Sequence, residues 1–309
     1  MDRRRWLRVV VLTSFALLLV AFGRRVNWHA AATAVRDADA RRLVIALVFN
    51  QLSLALKGVR WWVFLRPLGV RSLGLVLRAT FAGASLNNLV VAQGGEGARV
   101  LLVSRATGVS SARVAGALAL ERVLDAVSYL VLLSAATMFP GVPESLVRWR
   151  VAAFAALAVA MTALVILGLA RPSRTTPASG RVGGYLRRFA NSVAETGSPS
   201  RIAAALLLSL VAWALQVATY HTIALAAHLS VPLAASVAAM LAIGISFLIR
   251  ATPGNVGVFQ VIYALTMTSF GIERGAAVAA ALLIQTVQVV PTVLLGTIAG
   301  HGLVRRLSS

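Results

Sequence analysis

The chain has 309 residues, 59% of them hydrophobic, and a mean hydropathy of +0.84, with apolar runs recurring from end to end instead of gathering in one core. Thirty Lys and Arg against nine Asp and Glu give a formal charge of +21; a nucleic-acid binder would collect these on one soluble face, whereas here arginines punctuate apolar segments, which argues for basic loops on anionic lipid headgroups. Cysteine is absent and His29, His221, His228 and His301 stand at no metal-ligand spacing, so a disulfide framework, thiol chemistry, a metal centre and a cofactor are not expected.

A basic start (Arg3, Arg4, Arg5, Arg8) leads into an apolar run from Leu7 to Phe22. Secretory signals begin this way, but no convincing small-residue cleavage site follows, so an uncleaved first helix is expected. Apolar segments continue at 43–56, 73–92, 113–139, 151–169, 201–228, 232–249, 256–270 and 275–300. The densest basic stretches are the N-terminus, 57–71 (Lys57, Arg60, Arg66, Arg71), 171–188 (Arg171, Arg174, Arg181, Arg187, Arg188) and the tail (Arg305, Arg306). The positive-inside rule places all four in the cytoplasm. Trp61 and Trp62 beside Arg60, and Trp149 between two arginines, then read as interfacial anchors.

An even number of crossings must separate Arg71 from Arg171, yet three apolar segments lie between them. The poorest span is 73–92, which holds Arg78 and Asn87-Asn88 and runs into Gly94, Gly95, Glu96 and Gly97. Residues 73–108 are therefore expected to form a hairpin that enters and leaves on the cytoplasmic side, against a watery cleft. In the second half, 232–270 is expected to do the same from outside, interrupted at Thr252-Pro253-Gly254-Asn255. Between the halves, Pro, Ser and Gly mark a cytoplasmic linker at 170–200, in which Val182, Tyr185, Leu186, Phe189 and Val193 recur at helical spacing. An amphipathic helix on the inner leaflet or a partner-docking helix fits that pattern.

Matching Gly108 with Gly271 overlays the two halves and sets Arg122 opposite Gln285 and Asp125 opposite Gln288. The expected architecture is an all-α polytopic membrane protein of about six crossings plus two re-entrant helical hairpins, in an inverted-topology repeat: 1–169, the linker, then 201–309. In such a repeat the substrate site lies where the two broken elements meet.

Glu121, Arg122 and Asp125 fall about 12 to 18 Å along the helix expected at 113–139, near mid-bilayer. Arg122 and Asp125 are spaced to pair, and Glu121 and Asp125 share a face, which leaves one carboxylate short of a partner. A packing salt bridge and a headgroup or proton site are both open readings. Glu96 and Arg99 follow the Gly94-Gly95 break, where a helix start with Arg99 in its first turn suits a phosphate, and Glu96 is placed to cap that helix or to answer Arg122. The second break offers Arg250, Pro253, Gly254, Asn255 and Gly257. No phosphate-binding loop, nucleophile elbow or soluble catalytic domain is present, so a non-enzyme is expected.

The strings GGEGARVLLVSRATGVSSARVAGALALERVLD and ATPGNVGVFQ resemble the lysylphosphatidylglycerol synthase transmembrane-region family, also called flippase-like integral membrane proteins, over nearly the whole chain. The family's first motif matches Gly95, Glu96, Arg99, Arg105, Gly108, Glu121, Arg122 and Asp125, and its Pro-Gly turn matches Pro253, Gly254, Gly257 and Val258. Asn255 replaces a glycine, Gln260 stands where a carboxylate is usual, and Gln285 where an arginine is common. The resemblance implies a bacterial inner-membrane protein with cytoplasmic termini that handles an anionic or lipid-linked, phosphate-containing lipid. The family's soluble aminoacylating domain does not occur in this sequence. A stand-alone translocator or scaffold is thus expected, alternatively a subunit in lipid-linked sugar metabolism, with a glycosyltransferase or lipid-modifying partner.

Overall fold

The computed structural model describes residues 28–89, 94–138, 150–169, 191, 194–246 and 255–308. Every regular element among them is helical: α1 (Trp28–Arg36), α2 (Ala40–Leu65), α3 (Leu73–Leu89), α4 (Gly94–Thr107), α5 (Ser111–Ala136), α6 (Arg150–Leu169), α7 (Pro199–Ala226), α8 (Leu233–Ser246), α9 (Val258–Thr268) and α10 (Arg274–Ser308). The first apolar run, nearly all of the 170–200 linker, and Arg250, Pro253 and Gly254 lie outside the described residues.

Local chemistry sets the helix ends. Asp39 starts α2 by accepting the Arg42 backbone N–H at 3.2 Å, and a 3₁₀ turn (Arg66–Leu68) with Gly69 at φ 98° ends it. Gly108 (φ 74°) and Gly271 (φ 80°) turn the chain from α4 into α5 and from α9 into α10, in the left-handed region that glycine enters without penalty. Gly257 (φ 87°) opens α9, as a turn residue should. Gly94, Gly95 and Gly97, expected as turn residues, are instead the first turn of α4. Their role is close approach: a Cβ on Gly95 would meet the Gly83 carbonyl at 2.0 Å, so these two glycines let α3 and α4 touch backbone to backbone.

Polarity runs opposite to that of a water-soluble bundle. Val44, Val48 and Leu52 make an outward apolar stripe on α2, and Leu294 and Ile298 continue one on α10, while Arg60, Arg99, Glu121 and Asn50 are buried. Among the described residues, three helices are long and apolar enough to cross a membrane, Ala40–Leu68, Pro199–Ala226 and Arg274–His301, and shorter apolar helices accompany them. This is a multi-pass membrane protein. Basic residues 57–71 do not form the expected loop: α2 runs through Lys57 and Arg60 to Leu65, because the apolar face continues through Trp61, Phe64 and Leu65, all buried. Trp61 is therefore a core residue and not an interfacial anchor.

Among the described residues two apolar cores form, one mainly from each half. The first gathers Trp61, Phe64 and Leu65 of α2 with Val76 of α3, Val103 of α4 and Leu120 and Leu124 of α5. The second gathers Tyr220 and Ile223 of α7 with Met240 and Ile243 of α8, Phe259 and Tyr263 of α9 and Ile284 of α10. Helices α2 and α7 pack along each other between them, and Ser53 on α2 donates to the Ala212 carbonyl on α7 at 2.7 Å. Tyr129 of α5 reaches across to α8, where its hydroxyl lies so close to Gly244 that any Cβ there would collide with it.

Candidate functional site

Between the two cores lies a cavity of about 650 Å³ lined from α2, α3, α4, α5, α7, α8 and α10. Its floor is a network of ion pairs built on α5. Glu121 and Asp125, one helical turn apart, both face Arg60 of α2, with Arg60 Nη2 3.1 Å from Glu121 Oε1 and Arg60 Nη1 2.8 Å from Asp125 Oδ1. Arg60 Nη1 also donates to Ser209 Oγ on α7 at 2.5 Å. On the other side Arg99 of α4 grips Glu121 with both terminal nitrogens, at 2.6 and 3.4 Å, and its guanidinium lies 4.0 Å from the centre of the Trp61 ring. Planar guanidinium groups suit such two-point pairing, and burial without it would be costly.

The upper layer is wetter. Arg122, about half exposed, bridges Glu96 of α4 at 2.6 Å and Asp125 at 3.3 Å. Trp213 of α7 donates its indole N–H to Asp125 Oδ1 at 3.3 Å, stacks edge-on against Tyr129, and carries Lys57 over its ring face at 4.4 Å. Asp125 is thereby the junction of three helices.

The expected pairings Arg122 to Asp125 and Glu96 to Arg122 are both present. Arg99 stands near the start of α4 as expected, but it serves Glu121, so it is not the free phosphate ligand the sequence suggested. No carboxylate of the three is short of a partner, since Arg60 compensates Glu121 and Asp125 together. Lys57, Arg60, Trp213 and Tyr129 were missed. A signal existed: Asn50, Ser53, Lys57 and Arg60 recur at three- and four-residue intervals, a polar stripe along one face of an apolar helix.

The second-half candidates divide. Gln288 lines the same cavity, as does Tyr220. Gln285 is buried outside it and accepts from Gln260 Nε2 at 2.5 Å, while Gln260 Oε1 accepts the Gly257 backbone N–H at 2.7 Å and so fixes the start of α9. Asn255, at φ 58° and buried, occupies a left-handed turn position just before α9. A second, apolar groove of about 410 Å³ lies on the far side of the α3–α4 hairpin, lined by Leu86, Leu89, Leu101, Leu102 and Gly296, with Arg105 at its edge.

A family model described as the lysylphosphatidylglycerol synthase TM region matches residues 5–296. The chain belongs to this family. One relative is the UPF0104 membrane protein PH1989 of Pyrococcus horikoshii, 22% identical over 290 residues that cover 84% of this chain and 86% of that protein. Within the family frame, the motif residues Glu96, Arg99, Glu121, Arg122 and Asp125 are one ion-pair network on α4 and α5, completed by Arg60. Gln260 and Gln285, where the resemblance sets a carboxylate and an arginine, touch each other as a neutral pair between α9 and α10.

Proposed function

We propose that this protein translocates a polar, phosphate-bearing lipid across a bacterial inner membrane, the headgroup passing through the cavity and the acyl or prenyl chains staying in hydrocarbon. The observation that carries the reading is the cavity itself. Three carboxylates, two arginines and a lysine line one space at the meeting point of both halves, and the buried Arg60 pairs with two of those carboxylates from outside the lining. Ionisable groups are costly inside a bilayer and are usually retained for a pathway. A polar route lowers the cost of carrying a headgroup through hydrocarbon. The apolar groove behind the α3–α4 hairpin offers a surface for a lipid chain beside that route.

Six crossings, two re-entrant hairpins (α3–α4 and α8–α9), cytoplasmic termini and an inverted repeat complete the proposal. In support, each hairpin ends at a positive-φ glycine that leads into a long helix, and Asp125 and Gln288, set opposite each other by the overlay, line one cavity. The protein is read as a carrier and not an enzyme, because each cavity carboxylate is already engaged by a guanidinium and is poorly placed to act as a general base. A glycosyltransferase or lipid-modifying enzyme is the kind of partner such a carrier would serve.

Headgroup movement of fluorescent anionic and polyprenyl-phosphate lipids in proteoliposomes tests the proposal. Wild-type protein is expected to move at least one class, and Asp125→Asn and Arg122→Gln to abolish that movement while remaining folded. Folded wild-type protein that moves no lipid class overturns it.

A further inference from the structure

The charged groups of the cavity lining are Lys57, Arg99 and Arg122 against Glu96, Glu121 and Asp125; Arg60, buried outside the lining, pairs with two of those carboxylates, and the cluster of four cations and three carboxylates has one positive charge over. The ion pairs identify the surplus group. Arg60, Arg99 and Arg122 each hold a carboxylate, whereas no carboxylate among the described residues pairs with Lys57. Asp125, which shares the cavity with it, spends Oδ1 on Arg60 and Trp213 and Oδ2 on Arg122. What Lys57 has is the face of Trp213, and a ring face compensates a desolvated ammonium only in part. Lys57 is also the one lysine in a chain whose other basic residues are arginine. A flexible stem with three rotatable donors can follow a moving anion, where a guanidinium fork would stay locked to a carboxylate.

We infer that Lys57 takes the phosphate of a lipid phosphodiester whose headgroup is an uncharged polyol or sugar. This deepens the translocation reading and rests on it for the lipid nature of the ligand. Three features fix the class. One surplus cation is neutralised by a monoanion, which a phosphodiester is; a phosphomonoester dianion would leave negative charge beside three carboxylates. A headgroup amine would find each lining carboxylate already paired with an arginine. The cavity lining also holds neutral groups suited to hydroxyls: the amides of Asn87, Gln216 and Gln288, with the rings of Tyr129 and Trp213. A cavity of about 650 Å³ is within the range of small-molecule sites, roughly 300–1,000 Å³. Two lipids share this chemistry, a glycerophospholipid with a glycerol headgroup and a polyprenyl-phosphoryl sugar.

The test is binding, read by tryptophan fluorescence, of dioctanoyl-phosphatidylglycerol and of farnesyl-phosphoryl-glucose to the full chain in phosphatidylcholine nanodiscs. Dioctanoyl-phosphatidylcholine and dioctanoyl-phosphatidic acid are the zwitterionic and dianionic comparisons. Wild type is expected to bind one or both monoanions about tenfold or more tightly than either comparison, in keeping with one charge-assisted contact. Whichever monoanion binds names the source. Lys57→Met should erase the preference, and Lys57→Arg should keep most of it. A preference that survives Lys57→Met, or equal wild-type affinity for the monoanions and the zwitterion, overturns the inference; the second criterion holds even where Lys57→Met does not fold. Selective binding without headgroup movement in proteoliposomes would remove the translocation reading and leave this one. Movement untouched by Lys57→Met would do the reverse.

Discussion

Arg60 is fully buried and holds Glu121, Asp125 and Ser209 at once, so its loss leaves Glu121 to Arg99 alone and Asp125 to the half-exposed Arg122 and the Trp213 indole. Breaking a buried pair by deleting one partner costs about 3–5 kcal/mol, because the remaining charge keeps its desolvation penalty. Arg60→Met is therefore expected to lower the thermal midpoint in detergent sharply. Arg122→Gln should shift it little, in line with the roughly 0–1 kcal/mol of a solvent-screened pair, since that guanidinium is about half exposed. Equal shifts for the two would mean that the network does not hold α2 against α5. Sequence spacing shows why one member was legible and the other was not. Arg122 and Asp125 are three residues apart and announce their pairing, whereas Arg60 meets Asp125 across 65 positions. With its partner invisible, a charge beside Lys57, Arg66 and Arg71 resembles part of a loop, although the polar stripe from Asn50 to Arg60 marks a helix face.

At the scale of elements, small residues decide how closely helices approach. An alanine methyl at Gly95 would meet the Gly83 carbonyl at 2.0 Å and Asn87 Oδ1 at 2.6 Å, displacing the Gly95 N–H from its 2.9 Å bond to that same oxygen. Gly97, two residues on, faces open space. Gly95→Ala is expected to cost about 1–3 kcal/mol by forcing α3 from α4, and Gly97→Ala to be neutral or slightly stabilising because alanine favours the helix. Thermal unfolding of the two variants side by side checks this, and a neutral Gly95→Ala would show that the hairpin tolerates separation. The positions of these two short helices were readable beforehand: a broken apolar stretch was expected at 73–108, and α3 and α4 occupy Leu73–Leu89 and Gly94–Thr107. The breaks in that stretch are written in Asn, Gly and Arg, residues that interrupt an apolar run. Helix α1 (Trp28–Arg36) was not readable, since a short amphipathic helix lacks the apolar length by which spans are recognised.

For the whole molecule, the consequence that separates a re-entrant pair from two ordinary spans is which side of the membrane its ends occupy. Helices α3 and α4, at 17 and 14 residues, extend about 26 and 21 Å, short of a hydrocarbon core of about 30 Å. Their contact at Gly83 and Gly95 holds them as a pair, which suits a hairpin that dips in and returns. A hairpin of that kind puts Ser72 and Ser110 on the same side, and its counterpart in the second half puts Ser230 and Ser269 together on the other side. The sequence has no cysteine, so a single cysteine reports without background. Ser72→Cys, Ser110→Cys, Ser230→Cys and Ser269→Cys are nearly isosteric, and all four positions are exposed. Labelled with a membrane-impermeant thiol reagent, the first two should react only in inverted vesicles and the last two only in spheroplasts. The outcome turns on the parity of crossings between Ser110 and Ser230. Helices α5, α6 and α7 lie in that interval, and three crossings are what carry the chain from inside to outside and set the two halves in opposite orientations. If Ser110 and Ser230 label from one face, one of those helices does not cross; the inverted repeat is then lost, and Asp125 and Gln288 share a cavity without sharing a symmetry.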